Sequence, residues 1–369
     1  MRVAIVLNTS WNIYNFRMSL VQTLLDNGVE VHAVAPLDNY SARLEKAGCI
    51  YHKVRMDSRG ANPVKDSALI VELMMIYRKI KPDVVLHYTI KPNIYGTIAA
   101  RMLGIPMINN VCGLGTVFLK QNLVSWVAVQ MYKFAFRFPK KIFFQNNDDR
   151  ALFLEKKLAP ARLMDVIPGS GINLRHFVPK RMQPNARFTF LMISRLIYDK
   201  GVIEYVEAAR MLREAGHKVN FQLLGAKDPL HKRGIALEII DGWIQNKEIE
   251  YLGTTDDVRP YINQADCIVL PSYREGTPRT LLEAASCAKP LVATDVPGCN
   301  NVVIDGHNGY LCALKSSEDL RDKMLMMLNL TEPERNTMGQ NSREYVERHF
   351  DEKLVIDRYQ DAIDHILAQ

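Results

Sequence analysis

The sequence predicts an α/β protein built of two Rossmann-like domains in tandem, and three observations carry that expectation. The chain has 369 residues, more than one hydrophobic core usually serves. Short apolar runs alternate with helical patterns, as in parallel sheets covered on both faces. The alternation runs through twice, on either side of Pro179-Lys-Arg-Met-Gln-Pro184, a polar, proline-bounded stretch that suits a linker. The expected division is a first domain over 1–178, a linker over 179–185, a second domain over 186–350 and a C-terminal helix over 351–369.

The first passage starts with a strand at Arg2–Leu7, where the apolar run is too short for a signal peptide and no small-residue cleavage site follows. An amphipathic helix is expected around Phe16–Asn27, then strands at Val29–Ala35, Val84–His87, Ile108–Val111 and Lys141–Gln145. After the linker, Arg187–Ile193 reads as a strand and Gly201–Ala215 as a helix closed by Gly216. Strands follow at Val219–Leu224, Ile249–Leu252, Cys267–Leu270 and Pro290–Ala293. Asp351–Leu367 is an amphipathic helix with Leu354, Val355, Ile356, Tyr359, Ile363 and Ile366 near one face. It is free to pack on either domain or to cross between them. Doubly wound sheets bind ligands beyond the carboxyl ends of their strands, so the expected site is a cleft between two facing domains.

Composition narrows the function. With 48% hydrophobic and 24% charged residues the chain is an ordinary globular one rather than disordered. No run of eighteen apolar residues is present, so no transmembrane helix is expected. Six scattered cysteines without a Cys-x-x-Cys pair read as reduced core thiols of a cytoplasmic protein. The net charge of +7 comes without zinc-finger spacing, basic-region heptads or RNA-binding aromatics. It therefore points to an anionic membrane surface or a phosphorylated substrate ahead of nucleic acid.

Two segments carry chemistry. In Pro271-Ser-Tyr-Arg-Glu275-Gly276-Thr277-Pro278-Arg279-Thr-Leu-Leu-Glu283, an apolar strand ends at Pro271. Thr277 stands where an N-cap belongs and Pro278 at the first helical position, where a missing N–H costs nothing. The amides of Arg279 and Thr280 then point from a positive helix terminus, an anion site that Gly276 lets a ligand approach closely. Glu275 and Glu283 flank it, and carboxylates accept paired sugar hydroxyls. By itself such a segment is also what a capped helix with two solvated glutamates looks like. In Ser194-Arg195-Leu-Ile-Tyr-Asp-Lys200-Gly201, a strand exit presents two cations that suit the charge developing on a departing diphosphate. Basic loop residues are also often merely solvated.

Together these segments, with a strand ending in Gly225 and with Tyr251-Leu252-Gly253 between them, resemble the family 4 retaining glycosyltransferases of the GT-B fold over nearly the whole chain. The resemblance implies that Arg195 and Lys200 stabilise the nucleotide diphosphate and that Glu283 contacts the ribose. It places Glu275 and the backbone of Gly276, Thr277 and Pro278 on the transferred sugar, and Gly225, Leu252 and Gly253 around the base. Tyr14-Asn15-Phe16-Arg17, Tyr88-Thr89-Ile-Lys91-Pro92-Asn93, Asn109-Asn-Val-Cys-Gly113-Leu-Gly115 and Pro168-Gly-Ser-Gly171-Ile-Asn173 look like bacterial surface-polysaccharide members. They are most similar to N-acetylgalactosaminyltransferases that extend undecaprenyl-diphosphate-linked aminosugars. Asn15, Arg17, Thr89, Lys91, Asn93, Gly113, Gly115 and Asn173 are the expected acceptor or sugar-side residues. Two departures stand out: Thr9-Ser-Trp-Asn replaces a glycine pair common after the first strand, and Thr89 stands near a histidine common in relatives.

The resemblance further implies a UDP-sugar donor, a lipid-linked saccharide acceptor, no nucleic acid and no cofactor. His87 reads as a satisfied core histidine. Asp148-Asp149 and Asp256-Asp257 read as solvated helix-start acids, so no metal is expected. Phe118–Lys141 is apolar over most of a helix circumference, with Lys133, Arg137, Lys140 and Lys141 at one end. An interfacial helix on anionic lipid and a buried domain helix both fit it; a lipid-linked acceptor favours the former, on the cytoplasmic face of the inner membrane. Other readings are a sugar-nucleotide epimerase, a non-catalytic sugar-nucleotide-binding module and, more remotely, a dehydrogenase, though no Gly-x-Gly-x-x-Gly follows the first strand.

Overall fold

The computed structural model describes residues 1–57, 63–113, 123–180 and 185–368. The chain divides into two units, Met1–Ser170 with Glu352–Gln369, and Gly171–Asp351.

The first unit runs β1 (Arg2–Val6), α1 (Ser10–Asp26), β2 (Glu30–Ala35), α2 (Ser41–Lys46), β3 (Ile50–Lys53), α3 (Pro63–Ile80) and β4 (Val84–Tyr88). After a π-helical turn at Pro92–Gly96 come α4 (Thr97–Met102), β5 (Met107–Val111), α5 (Leu123–Ala135), β6 (Lys141–Phe144), α6 (Asn147–Glu155) and β7 (Met164–Val166). The strands pair in parallel in the order β3-β2-β1-β4-β5-β6-β7. Because helices cover both faces, β4 and β5 are buried end to end. On one face Leu69, Leu73 and Tyr77 of α3 pack with Tyr132 of α5. On the other, Ile13, Leu20 and Leu24 of α1 pack in one core with Val355, Tyr359 and Ile363.

The second unit runs β8 (Thr189–Ile193), α7 (Val202–Glu214), β9 (Asn220–Leu224), α8 (Leu237–Gln245), β10 (Glu250–Tyr251), α9 (Arg259–Gln264) and β11 (Cys267–Leu270). It continues with α10 (Arg279–Ser286), β12 (Leu291–Thr294), β13 (Gly309–Cys312), α11 (Ser317–Asn329) and α12 (Glu332–His349). Its sheet is also parallel, in the order β10-β9-β8-β11-β12-β13. The last helix, α13 (Glu352–Leu367), belongs to the first unit. There the Tyr359 hydroxyl accepts from Asn110 Nδ2 at 2.8 Å and its ring lies 4.9 Å from Phe143. Leu354, placed on the apolar face by periodicity, is exposed.

The division falls after Ser170 rather than at Pro179. Ile172 and Phe177 are buried in one core with Leu281 and Leu282 of the second unit, and Arg343 Nη1 donates to the Phe177 carbonyl at 2.7 Å. Residues 181–184 of the expected linker lie outside the described residues. The first helix starts at Ser10, earlier than its apolar period suggests, because Thr9 Oγ1 accepts the Asn12 amide at 3.1 Å and caps it. Three strands escaped the sequence reading: β3 is half polar, β7 has three residues, and β13 opens on a glycine. In both sheets the strand order reverses, at β1/β4 and at β8/β11, which are the points where doubly wound sheets bind ligands.

Candidate functional site

At the β8/β11 reversal the second unit brings together residues about eighty positions apart in the chain. From β8, the chain passes Ser194 and Arg195 into a short 3-10 turn, Tyr198–Lys200, which closes on Gly201. Gly201 is required there. Its φ is +72°, and a Cβ would sit 2.0 Å from the Pro271 carbonyl oxygen at the end of β11. This close approach brings Lys200 onto Glu275, the two side chains forming an ion pair through Nζ and Oε1. Arg195 is exposed, and its guanidinium has no partner among the described residues. Lys200 and Glu275 thus meet beyond the strand ends, and Arg195 stands exposed at the exit of β8.

Around them the backbone is fixed by a further layer. Tyr273 N donates to the Asp199 carbonyl at 2.9 Å, Arg233 Nε holds Asp199 Oδ1 at 3.0 Å, and the Tyr273 hydroxyl donates to Glu204 Oε1 at 2.6 Å. Burial and the Glu204 carboxylate both push the Tyr273 phenol upward, so it stays a donor. Gly225, at the end of β9, has φ +148° and lies so near Ser194 that a Cβ would be 1.8 Å from its carbonyl oxygen. Its amide donates to Gly253 at 2.8 Å, its carbonyl accepts Tyr251 Oη at 2.9 Å, and Leu252 N donates to Leu223 at 2.9 Å. Gly225, Tyr251, Leu252 and Gly253 therefore form one bonded strip of backbone.

The helix start differs by one residue from expectation. Pro278, not Thr277, is the N-cap of α10, with extended backbone, and its carbonyl accepts the first helical amides from Leu281 and Leu282. The ring holds φ at −72°, which a helix would accept, but ψ is extended at 111°, so helical turns begin at Arg279. The Thr280 hydroxyl donates to the Ile193 carbonyl at 3.2 Å, tying α10 to β8. Arg279, expected on the donor side through its amide, spends its side chain on the fold: its Nε binds Glu283 Oε1 at 3.1 Å and its Nη1 the Gly171 carbonyl at 3.0 Å. Burial pushes the Glu283 carboxyl upward while Arg279 pulls it down, with burial prevailing. Its Oε2 carries no bond among the described residues. Spacing of four on a helix is the signal that the Arg279–Glu283 pair offered.

In the first unit several expected acceptor-side residues are spent on the fold. Asn15 Nδ2 donates back to the Trp11 carbonyl at 2.9 Å, and Asn93 Nδ2 to the Asn110 carbonyl at 2.7 Å. Lys91 pairs at 2.7 Å with Asp66, which also accepts the Tyr95 hydroxyl at 3.0 Å. Arg17 is 5% exposed, its guanidinium 4.6 Å from the Tyr88 ring centre, with Nη1 on the Phe16 carbonyl and Nη2 on Cys112. Burial lowers its pKa, Cys112 and Tyr88 raise it, and the balance lies above the ordinary value, so it is a permanent cation. Asn173 lies in the second unit and caps its own turn through Arg175 N and His176 N. Gly113 has φ +118° at the end of β5, and Gly115 lies outside the described residues. Thr89 takes φ +62°, unusual for a β-branched residue. His87 is buried between Tyr77 and Asn109, at 2.9 and 3.1 Å, as expected of a core histidine. Asp149, expected to be solvated, is buried, because the Asn146 cap seats its amide at 2.7 Å.

Residues 177–345 match the family model for glycosyl transferases group 1, and residues 2–146 the glycosyl transferase 4-like model. The chain is 28% identical to the N,N'-diacetylbacillosaminyl-diphospho-undecaprenol alpha-1,3-N-acetylgalactosaminyltransferase of Campylobacter jejuni, covering 100% of this chain and 99% of that one. It is 24% identical to the UDP-Gal:alpha-D-GlcNAc-diphosphoundecaprenol alpha-1,3-galactosyltransferase of Escherichia coli, over 82% and 80% of the two chains. Among solved structures, Anabaena HepE in complex with UDP and glucose superposes with a TM-score of 0.81 at 16% identity, over 99% of each chain. The sucrose-phosphate synthase of Thermosynechococcus elongatus gives 0.83 at 18% identity, over 100% and 99%. The fold is GT-B, and the chain is a glycosyltransferase of the group 1, family 4 type. The sugar-nucleotide epimerase alternative has no support among these relatives.

Proposed function

We propose that this enzyme moves a hexose or N-acetylhexosamine from a UDP-sugar to a polyprenyl-diphosphate-linked saccharide, with retention of configuration, in surface-glycan assembly. The observation that carries the reading is the Lys200–Glu275 pair beyond the ends of β8 and β11, with Arg195 exposed and unpaired among the described residues at the exit of β8. The two relatives named above, whose names give diphospho-undecaprenol-linked acceptors, support the acceptor class. Without donor, Lys200 and Glu275 neutralise one another. A diphosphate takes over Lys200, and Glu275 is released to accept hydroxyls of the transferred sugar. Glu283 Oε2 is the acceptor for the ribose, and the Gly225–Gly253 strip frames the base. As the bond from the anomeric carbon to the phosphate oxygen breaks, negative charge grows on the diphosphate, and Arg195 and Lys200 stabilise it. The acceptor hydroxyl attacks from the same face, and its proton passes to the departing phosphate oxygen. No side-chain base is then needed, which suits a chain with Thr89 in the histidine's place.

Supporting a peripheral site on the cytoplasmic face of the inner membrane, α5 exposes Trp126, Val127 and Phe134 beside Lys133 and Arg137. No described helix is long and apolar enough to cross a membrane. The test is UDP release from UDP-sugars with and without a polyprenyl-diphosphate-linked aminosugar. Acceptor-dependent release and a new glycosidic bond are expected. Conversion of the donor sugar without acceptor would overturn the reading. Flotation with anionic and neutral vesicles at low salt tests the surface: binding to the anionic ones alone is expected.

A further inference from the structure

Near the β1/β4 reversal of the first unit, four side-chain oxygens are buried without a hydrogen-bond partner among the described residues: Asn8 Oδ1, Tyr88 Oη, Thr89 Oγ1 and Asn93 Oδ1. The strands pair Val6 with His87, so Asn8 and Thr89 each stand two residues further on, at adjoining strand ends. Asn93 lies in the next turn, its amide on the Thr89 carbonyl at 3.1 Å. Leaving such atoms unbonded is costly, and so is the φ of +62° at Thr89. Both costs gather where a parallel sheet takes its ligand.

Trp11 follows three residues after Asn8, in the first turn of α1, and its side chain is 43% exposed. It is held rather than loose. Its ring meets Phe16 edge-on at 5.0 Å and its amide donates to Asp38 Oδ2 at 3.0 Å. Of the cations nearby, Lys91 is engaged by Asp66, and Arg17 by Tyr88, Cys112 and the Phe16 carbonyl, its Nε being buried without a partner among the described residues. What is left without a partner is an exposed aromatic plane, neutral oxygens just beneath the surface and one guanidinium N–H. That set fits a pyranose, whose C–H face lies on an indole while its hydroxyls bond to amide and hydroxyl groups, and it fits a phosphate poorly.

We propose that Trp11, with Asn8 and Thr89, forms the subsite for the acceptor's pyranose and sets which saccharide the enzyme extends. This rests on the lipid-linked acceptor reading above. The donor also carries a pyranose, and kinetics separate the two.

Initial rates are measured in detergent for wild type, Trp11→Ala and Trp11→Phe, with UDP-N-acetylhexosamine and a polyprenyl-diphosphate-linked N-acetylated aminosugar. Losing the stacked ring should raise the acceptor KM of Trp11→Ala roughly tenfold, leave the donor KM unchanged, and let Trp11→Phe recover most of the loss. An unchanged acceptor KM overturns the subsite. A rise confined to the donor KM overturns it as well, giving the ring to the donor. Equal losses in both variants with a lowered Tm make Trp11 a packing residue, and a defect seen only on vesicles makes it a bilayer contact; either overturns it. A wild type that transfers to no lipid-linked saccharide fails one step earlier and removes the acceptor reading together with the subsite.

Discussion

In the proposed mechanism Lys200 acts through position more than through charge alone. Its ammonium is fixed by a left-handed glycine on one side and by Glu275 on the other. Replacing it by alanine removes a preorganised cation from the leaving group and should lower kcat by about 10²–10³-fold, read from steady-state rates at saturating donor. Glu283→Ala should act differently, raising the donor KM roughly tenfold or more through loss of a charged hydrogen bond. Equal kcat losses with no change in donor KM would remove Glu283 from ribose binding. His87 makes a separate prediction about stability. Burial pushes its pKa down to about 4, against an upward pull from Asn109. In the unfolded chain it titrates near about 6.5, so below that pH the unfolded state takes up a proton that the folded state refuses. Its contribution is intact above about pH 6.5 and falls by about 3 kcal/mol on the way down to about pH 4. Denaturant unfolding at pH 7.5 and 4.5 should show a larger acid loss in wild type than in His87→Gln.

Elements meet at close backbone approaches that side chains cannot reproduce. The turn after β8 touches the end of β11 through Gly201, and the end of β9 touches the exit of β8 through Gly225. Gly201→Ala combines left-handed backbone with a clash against a carbonyl and should cost about 2–4 kcal/mol, measured by unfolding of the purified variant. It should also weaken donor binding, because Lys200 is the preceding residue. The site of the second unit was legible at this scale: strand exit, basic loop, glycine, then strand, glycine, proline and glutamate followed one another in order. The shift of the α10 cap from Thr277 to Pro278 was not, since residue types placed Pro278 at the first helical position and only its extended backbone angle shows that the helix starts one residue later. On the acceptor side the reading was weaker. Amide and lysine residues in a loop advertise themselves equally whether they meet a ligand or a neighbour, and Asn15, Lys91 and Asn93 meet neighbours.

At the scale of the whole chain, the last helix returns to the first unit. Tyr359 is 1% exposed there, with its hydroxyl on Asn110 and its ring against Phe143. Tyr359→Ala should destabilise the first unit by about 3–5 kcal/mol. Hydrogen exchange should accelerate in β4, β5 and β6 while β8, β11 and β12 keep their protection; uniform acceleration would contradict the division into two units. The amino-acid order alone was enough for two parallel α/β layers, because buried strands must be apolar runs and their helices must carry one apolar stripe. It was enough also for the expectation of a donor-side motif, since such a motif is a set of particular residues at fixed local spacing. Partner choice across the chain required the tertiary structure. Which unit α13 covers, where residues 171–178 belong, which cations are neutralised, and which oxygens stay unbonded at the β1/β4 reversal all depend on contacts between distant residues, and local pattern carries no record of those.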